Sequence, residues 1–266
     1  MIKMNFTSLQ NLEKPKPRVN SLMDLSIFDK NMNYYICSAG GCGSTIIFNY
    51  LSNFGNVYHI HDRFPPEKLC FIGKENTEEP VYDEWFNKTE IPEDKLRFYK
   101  VIFIYRSPID VIFSRFIQPQ GPNTTHLQHI KCINNGLIGL GDIIKTGRDL
   151  YGIEEFYDNY IFPKKKRNYE IICIKYEDFF NNINLFNKIL GIPDIKSLYP
   201  IKSERQKKKI YIKELLLIYH KLLFKMKQMP FIKVISPEYT NLIETLNKDI
   251  NQTNNDLKSF NDDVAV

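Results

Sequence analysis

Two stretches of this sequence hold residues whose types and spacing suit the binding of an anionic ester. The first is Ser38-Ala39-Gly40-Gly41-Cys42-Gly43-Ser44-Thr45. Three glycines within four positions let a chain turn tightly and aim successive N–H groups at one point, and a helix that starts there adds its positive end. Gly40, Gly41, Cys42 and Gly43 supply the backbone of such a cradle, and Ser44 and Thr45 add hydroxyl donors. The same residues would equally make a tight strand-to-helix turn with no ligand. A Walker A loop ends in Gly-Lys-Ser/Thr. Here Gly43 is followed directly by Ser44, which disfavours a P-loop nucleotide kinase or a Walker-type NTPase.

The second stretch is Lys100-Val101-Ile102-Phe103-Ile104-Tyr105-Arg106-Ser107-Pro108, continuing through Asp110 to Ser114. Arg106 falls where an apolar strand ends, and Ser114 lies two turns into the helix that follows. A guanidinium offers a fixed fork to a phosphate, and a hydroxyl adds a further donor. The structural alternative makes Arg106 a helix cap and Ser114 a buried helix serine. A third stretch, Tyr58-His59-Ile60-His61-Asp62-Arg63, carries groups that could move a proton. Histidine suits a base working near neutral pH. His59 and His61 share one strand face by period two, and His61 is nearer the carboxyl end. His59 and Asp62 stay open as alternative bases, as does a strand-end histidine with no role.

The elements that position these residues alternate. Residues 33–37 and 57–61 read as short strands, and 100–105 and 169–174 as continuous apolar runs, as strands buried on both faces should. Residues 46–54, 109–116, 152–162, 179–190 and 210–228 read as helices, with Pro108 in a first turn and Gly191 and Pro193 at a stop. Strands alternating with helices imply a parallel, doubly wound α/β sheet, whose ligands sit at the carboxyl ends of the strands. Residues 1–33 read as an arm or linker, 34–250 as one α/β domain, and 251–266 as a polar tail. An acidic, loop-rich insertion spans about residues 72–95, with helix character at 82–87. The stripe Ile210, Leu215, Leu216, Ile218, Tyr219, Leu222, Leu223 reads as core-facing.

Composition narrows the classes. The 266 residues carry 36 basic and 31 acidic side chains, a net charge of +5 that suits an anionic ligand but is too small to argue for nucleic acid. No run is long and apolar enough for a membrane span, and the first residues do not read as a secretory signal. Cys37, Cys42, Cys70, Cys132 and Cys173 are odd in number and scattered, which points to reduced thiols in a cytoplasmic setting. No His/Cys cluster has the spacing of a zinc site.

Three segments in register resemble one family. The run Tyr105-Arg106-Ser107-Pro108-Ile109-Asp110-Val111, with Ser114 three residues on, looks like the 3′-phosphate-binding segment of sulfotransferases that use 3′-phosphoadenosine-5′-phosphosulfate (PAPS). Lys175-Tyr176-Glu177-Asp178 and Leu190-Gly191-Ile192-Pro193 resemble that family's late strand, turn and helix ending. Gly43-Ser44-Thr45 then matches the end of its phosphosulfate loop. The resemblance covers most of residues 35–193. It implies a P-loop-like three-layer α/β fold with a mostly parallel central sheet flanked by helices. It also implies a sulfotransferase with PAPS as co-substrate, no metal, adenosine 3′,5′-bisphosphate as product, and an acceptor hydroxyl or amine that the sequence does not identify. Residues 40–45 would hold the phosphosulfate, Arg106 and Ser114 the 3′-phosphate with help from Arg205 in the basic stretch 202–209, and His61 would be the base. The chain departs from the family pattern at Gly41, where Lys or Arg is usual, and Arg63 is the nearest replacement cation in sequence. A binder of the same fold without transfer activity is the alternative.

Overall fold

The computed structural model describes residues 32–71, 89–116, 138–202 and 210–237. The expected arm, the C-terminal tail, the helix at 82–87, Cys132 and Arg205 lie outside the described residues.

Five strands form one sheet in the order β2-β1-β3-β4-β5. They are β1 (Asn33–Cys37), β2 (Asn56–Ile60), β3 (Tyr99–Tyr105), β4 (Ile171–Lys175) and β5 (Ile232–Ile235). The first four run parallel, and β5 closes one edge antiparallel to β4. The helices are α1 (Ser44–Leu51), α2 (Pro108–Phe116), α3 (Leu140–Thr146), α4 (Ile153–Ile161), α5 (Tyr176–Phe179), α6 (Ile183–Leu190) and α7 (Ile212–Gln228). This is the expected α/β architecture, a mostly parallel sheet flanked by helices.

The central strands β3 and β4 are apolar over the stretches that helices cover. Val101 to Tyr105 and Ile171 to Ile174 are all buried. Phe103 stacks on Tyr160 of α4 at 4.4 Å and on Phe156 at 6.0 Å. Elsewhere Tyr50 of α1 donates to Asn187 Oδ1 of α6 at 2.8 Å and meets the Phe179 ring edge-on.

Sheet order decides where a ligand can sit. From β1 the chain steps to β2 on one side, then crosses to β3 on the other. The loops leaving β1 and β3 therefore diverge, and a crevice opens between them at the carboxyl edge. The glycine-rich turn leaves β1 and Arg106 leaves β3.

Several expectations needed revision. The helix read over 179–190 is two pieces. Asn182 breaks it by donating to Asp178 O and serving as N-cap of α6. On α7 the buried face is Leu215, Tyr219, Leu222 and Met226, whereas Leu216 is exposed, and Ile210, also exposed, precedes the helix. Arg167, which follows Lys164, Lys165 and Lys166 in the sequence, is buried and donates to Asn159 O at 2.7 Å. Among the described residues no helix is long and apolar enough to cross a membrane.

Candidate functional site

The turn after β1 has the backbone that its glycines allow. Gly40, Gly41 and Gly43 all have positive φ, at 73°, 68° and 84°. Crowding adds to this, severely at Gly43 and mildly at Gly41. A Cβ on Gly43 would lie 2.0 Å from Cε2 of Tyr176, and one on Gly41 would lie 3.0 Å from Ser114 Cβ and 3.3 Å from Arg115 Nε. The turn is therefore clasped between the start of α5 and the last turn of α2. Two bonds fix it from within, Gly40 N–H donating to Ser38 Oγ at 3.2 Å and Cys42 Sγ to Gly40 O at 3.4 Å, and Tyr151 OH anchors it from outside by donating to Ala39 O at 2.7 Å. Gly43 is the N-cap of α1 and brings no side chain to its first amides, so the positive end of an eight-residue helix opens onto the turn.

Arg106 stands at the far side of the same crevice. Its guanidinium lies over the Tyr176 ring at 5.1 Å, and NH2 is 3.6 Å from Asp110 Oδ2. Its Nε is buried with no hydrogen-bond partner. Tyr176 thus touches both halves of the site, packing against Gly43 and carrying Arg106. Glu177 holds the β3–α2 turn by accepting from Ser107 N–H at 2.7 Å. A narrow gap of about 10 Å³, room for about one water, lies between these parts, lined by Ala39, Cys42, Tyr105, Arg106, Tyr157 and Met226 among others.

His61 is the histidine that touches the turn. It is 7% exposed, and its Nδ1 lies 2.7 Å from Ser38 O. A carbonyl only accepts, so Nδ1 carries a proton, and in the neutral ring Nε2 has the lone pair. His59 instead packs on the Phe48 ring of α1, with centroids 4.7 Å apart. Asp62 accepts from Phe64 N–H at 2.9 Å and shapes the turn after β2. Arg63 does not serve as the replacement cation. Its NH1 pairs with Glu155 at 2.9 Å and its NH2 donates to Tyr151 O at 3.0 Å, so it ties the β2 turn to α4.

The structure thus brings residues 40–45, Arg106, Ser114 and His61 to one edge of the sheet. Three contributors were missed in the sequence: Tyr176 as a platform, Tyr151 as an anchor, and Arg115 beside Gly41. None of the three is announced by its neighbours in the chain, because each contact is tertiary. Among the described residues no group of three or more His, Cys, Asp or Glu side chains could hold a metal ion.

Cys42 tests how closed the turn is. Burial pushes its thiol up to about 12, with nearby Arg115 the largest opposing influence. A thiol with a raised pKa stays protonated at pH 8, and the thiolate is the reactive form. In the native protein, alkylation of Cys42 by iodoacetamide at pH 8 should be on the order of 10³-fold slower than in urea. Peptide mass mapping reads this directly, and equal rates would show that the turn opens freely.

Compared with family models, curated proteins and solved structures, the chain matches none of them. What it does has to be argued from the site.

Proposed function

We propose that this protein is a PAPS-dependent sulfotransferase acting on a hydroxyl or amine acceptor. The observation that carries the reading is the clasped glycine turn of β1 facing Arg106 of β3 across the switch point of the sheet. Two anion-binding features at one crevice suit a nucleotide with charge at both ends. The three sequence resemblances support the same choice.

The residues fit that ligand. The left-handed glycines and the open end of α1 suit the 5′-phosphosulfate, and the Tyr176 ring packed on Gly43 holds that turn in place. Arg106, unpartnered at Nε, suits the 3′-phosphate. Ser114 lies against Gly41, nearer the turn than the resemblance suggests, and so bridges the two subsites. When bound, PAPS supplies an activated sulfuryl group. The acceptor oxygen or nitrogen attacks sulfur, the bond from sulfur to the bridging phosphate oxygen breaks, and the acceptor proton passes to His61 Nε2. The bond from His61 Nδ1–H to Ser38 O holds the ring against the turn while this happens.

The test is transfer of label from radioactive PAPS to a panel of alcohols, phenols, sugars and amines. Transfer to at least one class is expected, with release of adenosine 3′,5′-bisphosphate. His61→Asn keeps a donor near Ser38 O and removes the basic nitrogen, and should lower kcat about 10²–10⁴-fold. Its affinity for the bisphosphate should stay within about twofold. Bisphosphate binding with no transfer to any class would leave a nucleotide-binding module of the same fold.

A further inference from the structure

Position 41 lacks a cation, and Arg63 is committed elsewhere. A cation does come close to position 41, next to Ser114 and from a different element. Arg115 Nε lies 3.3 Å from the point where a Gly41 Cβ would begin. Arg115 sits in the last turn of α2, the helix that starts beside Arg106 and reaches the glycine turn with Ser114 and Arg115. Its Nε is buried and has no hydrogen-bond partner. The same position puts Arg115 near the Cys42 thiol within the turn, where it is the largest influence opposing the rise caused by burial.

We propose that Arg115 is the guanidinium that meets the 5′-side anion held by residues 40–45, delivering from α2 the charge that position 41 lacks. This rests on the nucleotide reading for the identity of the ligand. Glycine at 41 then has a second reason besides its φ of 68°. A side chain there would displace the very group that carries the charge. A cation in the last turn of a helix also favours the helix dipole, but that effect needs neither a buried, unpartnered Nε nor contact with a glycine turn. Arg106, two residues before α2, would in this way meet the 3′-phosphate and Arg115, in the last turn of α2, the 5′ group, so one short segment spaces the two.

The test separates the two ends of the nucleotide. Wild type, Arg115→Gln, Arg115→Lys and Arg106→Ala are titrated with adenosine 3′,5′-bisphosphate, adenosine 5′-monophosphate and adenosine 3′-monophosphate. Arg115→Gln should lose affinity for the bisphosphate and the 5′-monophosphate by about 10–100-fold and keep that for the 3′-monophosphate within about twofold. Arg115→Lys should recover part of the loss, and Arg106→Ala should show the reverse ligand pattern. Melting temperatures within a degree or two of wild type for Arg115→Lys exclude a folding defect as the cause. Unchanged 5′-monophosphate affinity in Arg115→Gln, with wild type binding the bisphosphate, would overturn this proposal and leave the nucleotide site standing. Equal loss for all three ligands would overturn it too, since a general charge effect would then suffice. If wild type binds none of the three, the nucleotide reading falls and takes this role for Arg115 with it.

Discussion

Replacing Arg106 with alanine is expected to weaken binding of adenosine 3′,5′-bisphosphate by about 10²-fold while leaving the fold intact. Hydrogen bonds to charged groups contribute roughly 1.5–3 kcal/mol each, and a guanidinium can make two to one phosphate. A loss of about 3 kcal/mol corresponds to about two decades in Kd. The structural cost of the change is small. Arg106 is partly exposed, and its ion pair with Asp110 at 3.6 Å is long and reaches solvent on both sides, so it contributes well under 1 kcal/mol. Its position over Tyr176 adds a modest cation–π contribution. Titration calorimetry gives the affinity and urea unfolding gives the stability. A variant that binds as wild type does would remove Arg106 from the site. A variant that loses stability by several kcal/mol would assign the residue to the fold instead.

The second large effect concerns stability. Gly43→Ala should destabilise the protein by about 2–5 kcal/mol. The left-handed backbone at φ 84° accounts for about 1–2 kcal/mol of this. Overpacking against Tyr176, 2.0 Å from the new methyl group, adds about 1–3 kcal/mol. Gly191→Ala is the matched control. Its φ is 70°, but a Cβ there meets nothing within 4 Å, so only the backbone contribution of about 1–2 kcal/mol remains. Urea unfolding of both variants isolates the Tyr176 contact as the difference. Equal losses would mean that Tyr176 swings aside at little cost. Should it swing aside, Arg106 loses the ring beneath it, and bisphosphate affinity should fall in Gly43→Ala but not in Gly191→Ala.

Much of this fold could be read from the residues because a parallel sheet writes itself plainly. Val101 to Tyr105 is apolar without interruption because both faces are covered, and the glycines and Pro108 mark the turns on either side. The β5 strand escaped for the opposite reason. It is four residues long, lies at an edge, and leaves Val234 exposed, so Ile-Lys-Val-Ile carries little pattern. Periodicity on α7 gave the correct element but too wide a face. Leu216 and Leu217 are as apolar as Leu215, and only packing distinguishes them.

The site divides in the same way. The glycine turn and Arg106 were legible because a backbone conformation and a strand end are local properties. The roles of Tyr176, Arg63 and Arg115 are tertiary. Tyr176 belongs to a turn that reads as structural, and its ring position against Gly43 follows only from β4 lying next to β3. Arg63 reads as a free cation near the second strand, yet Glu155, 92 residues away, claims it. Nothing local announces that Arg115 reaches Gly41, since the contact depends on how α2 lies across the sheet edge.

The central claim is that the crevice between β1 and β3 holds a nucleotide charged at both ends, and one titration addresses it most directly. The wild-type chain is titrated calorimetrically with adenosine 3′,5′-bisphosphate, and in parallel with ATP plus magnesium. The account predicts saturable binding of one bisphosphate per chain, weakened about 10²-fold by Arg106→Ala, and much weaker binding of ATP because no lysine follows Gly43. Failure to bind the bisphosphate, with ATP bound in its place in a magnesium-dependent way, would contradict the sulfotransferase reading and turn the same turn and arginine into a nucleoside triphosphate site.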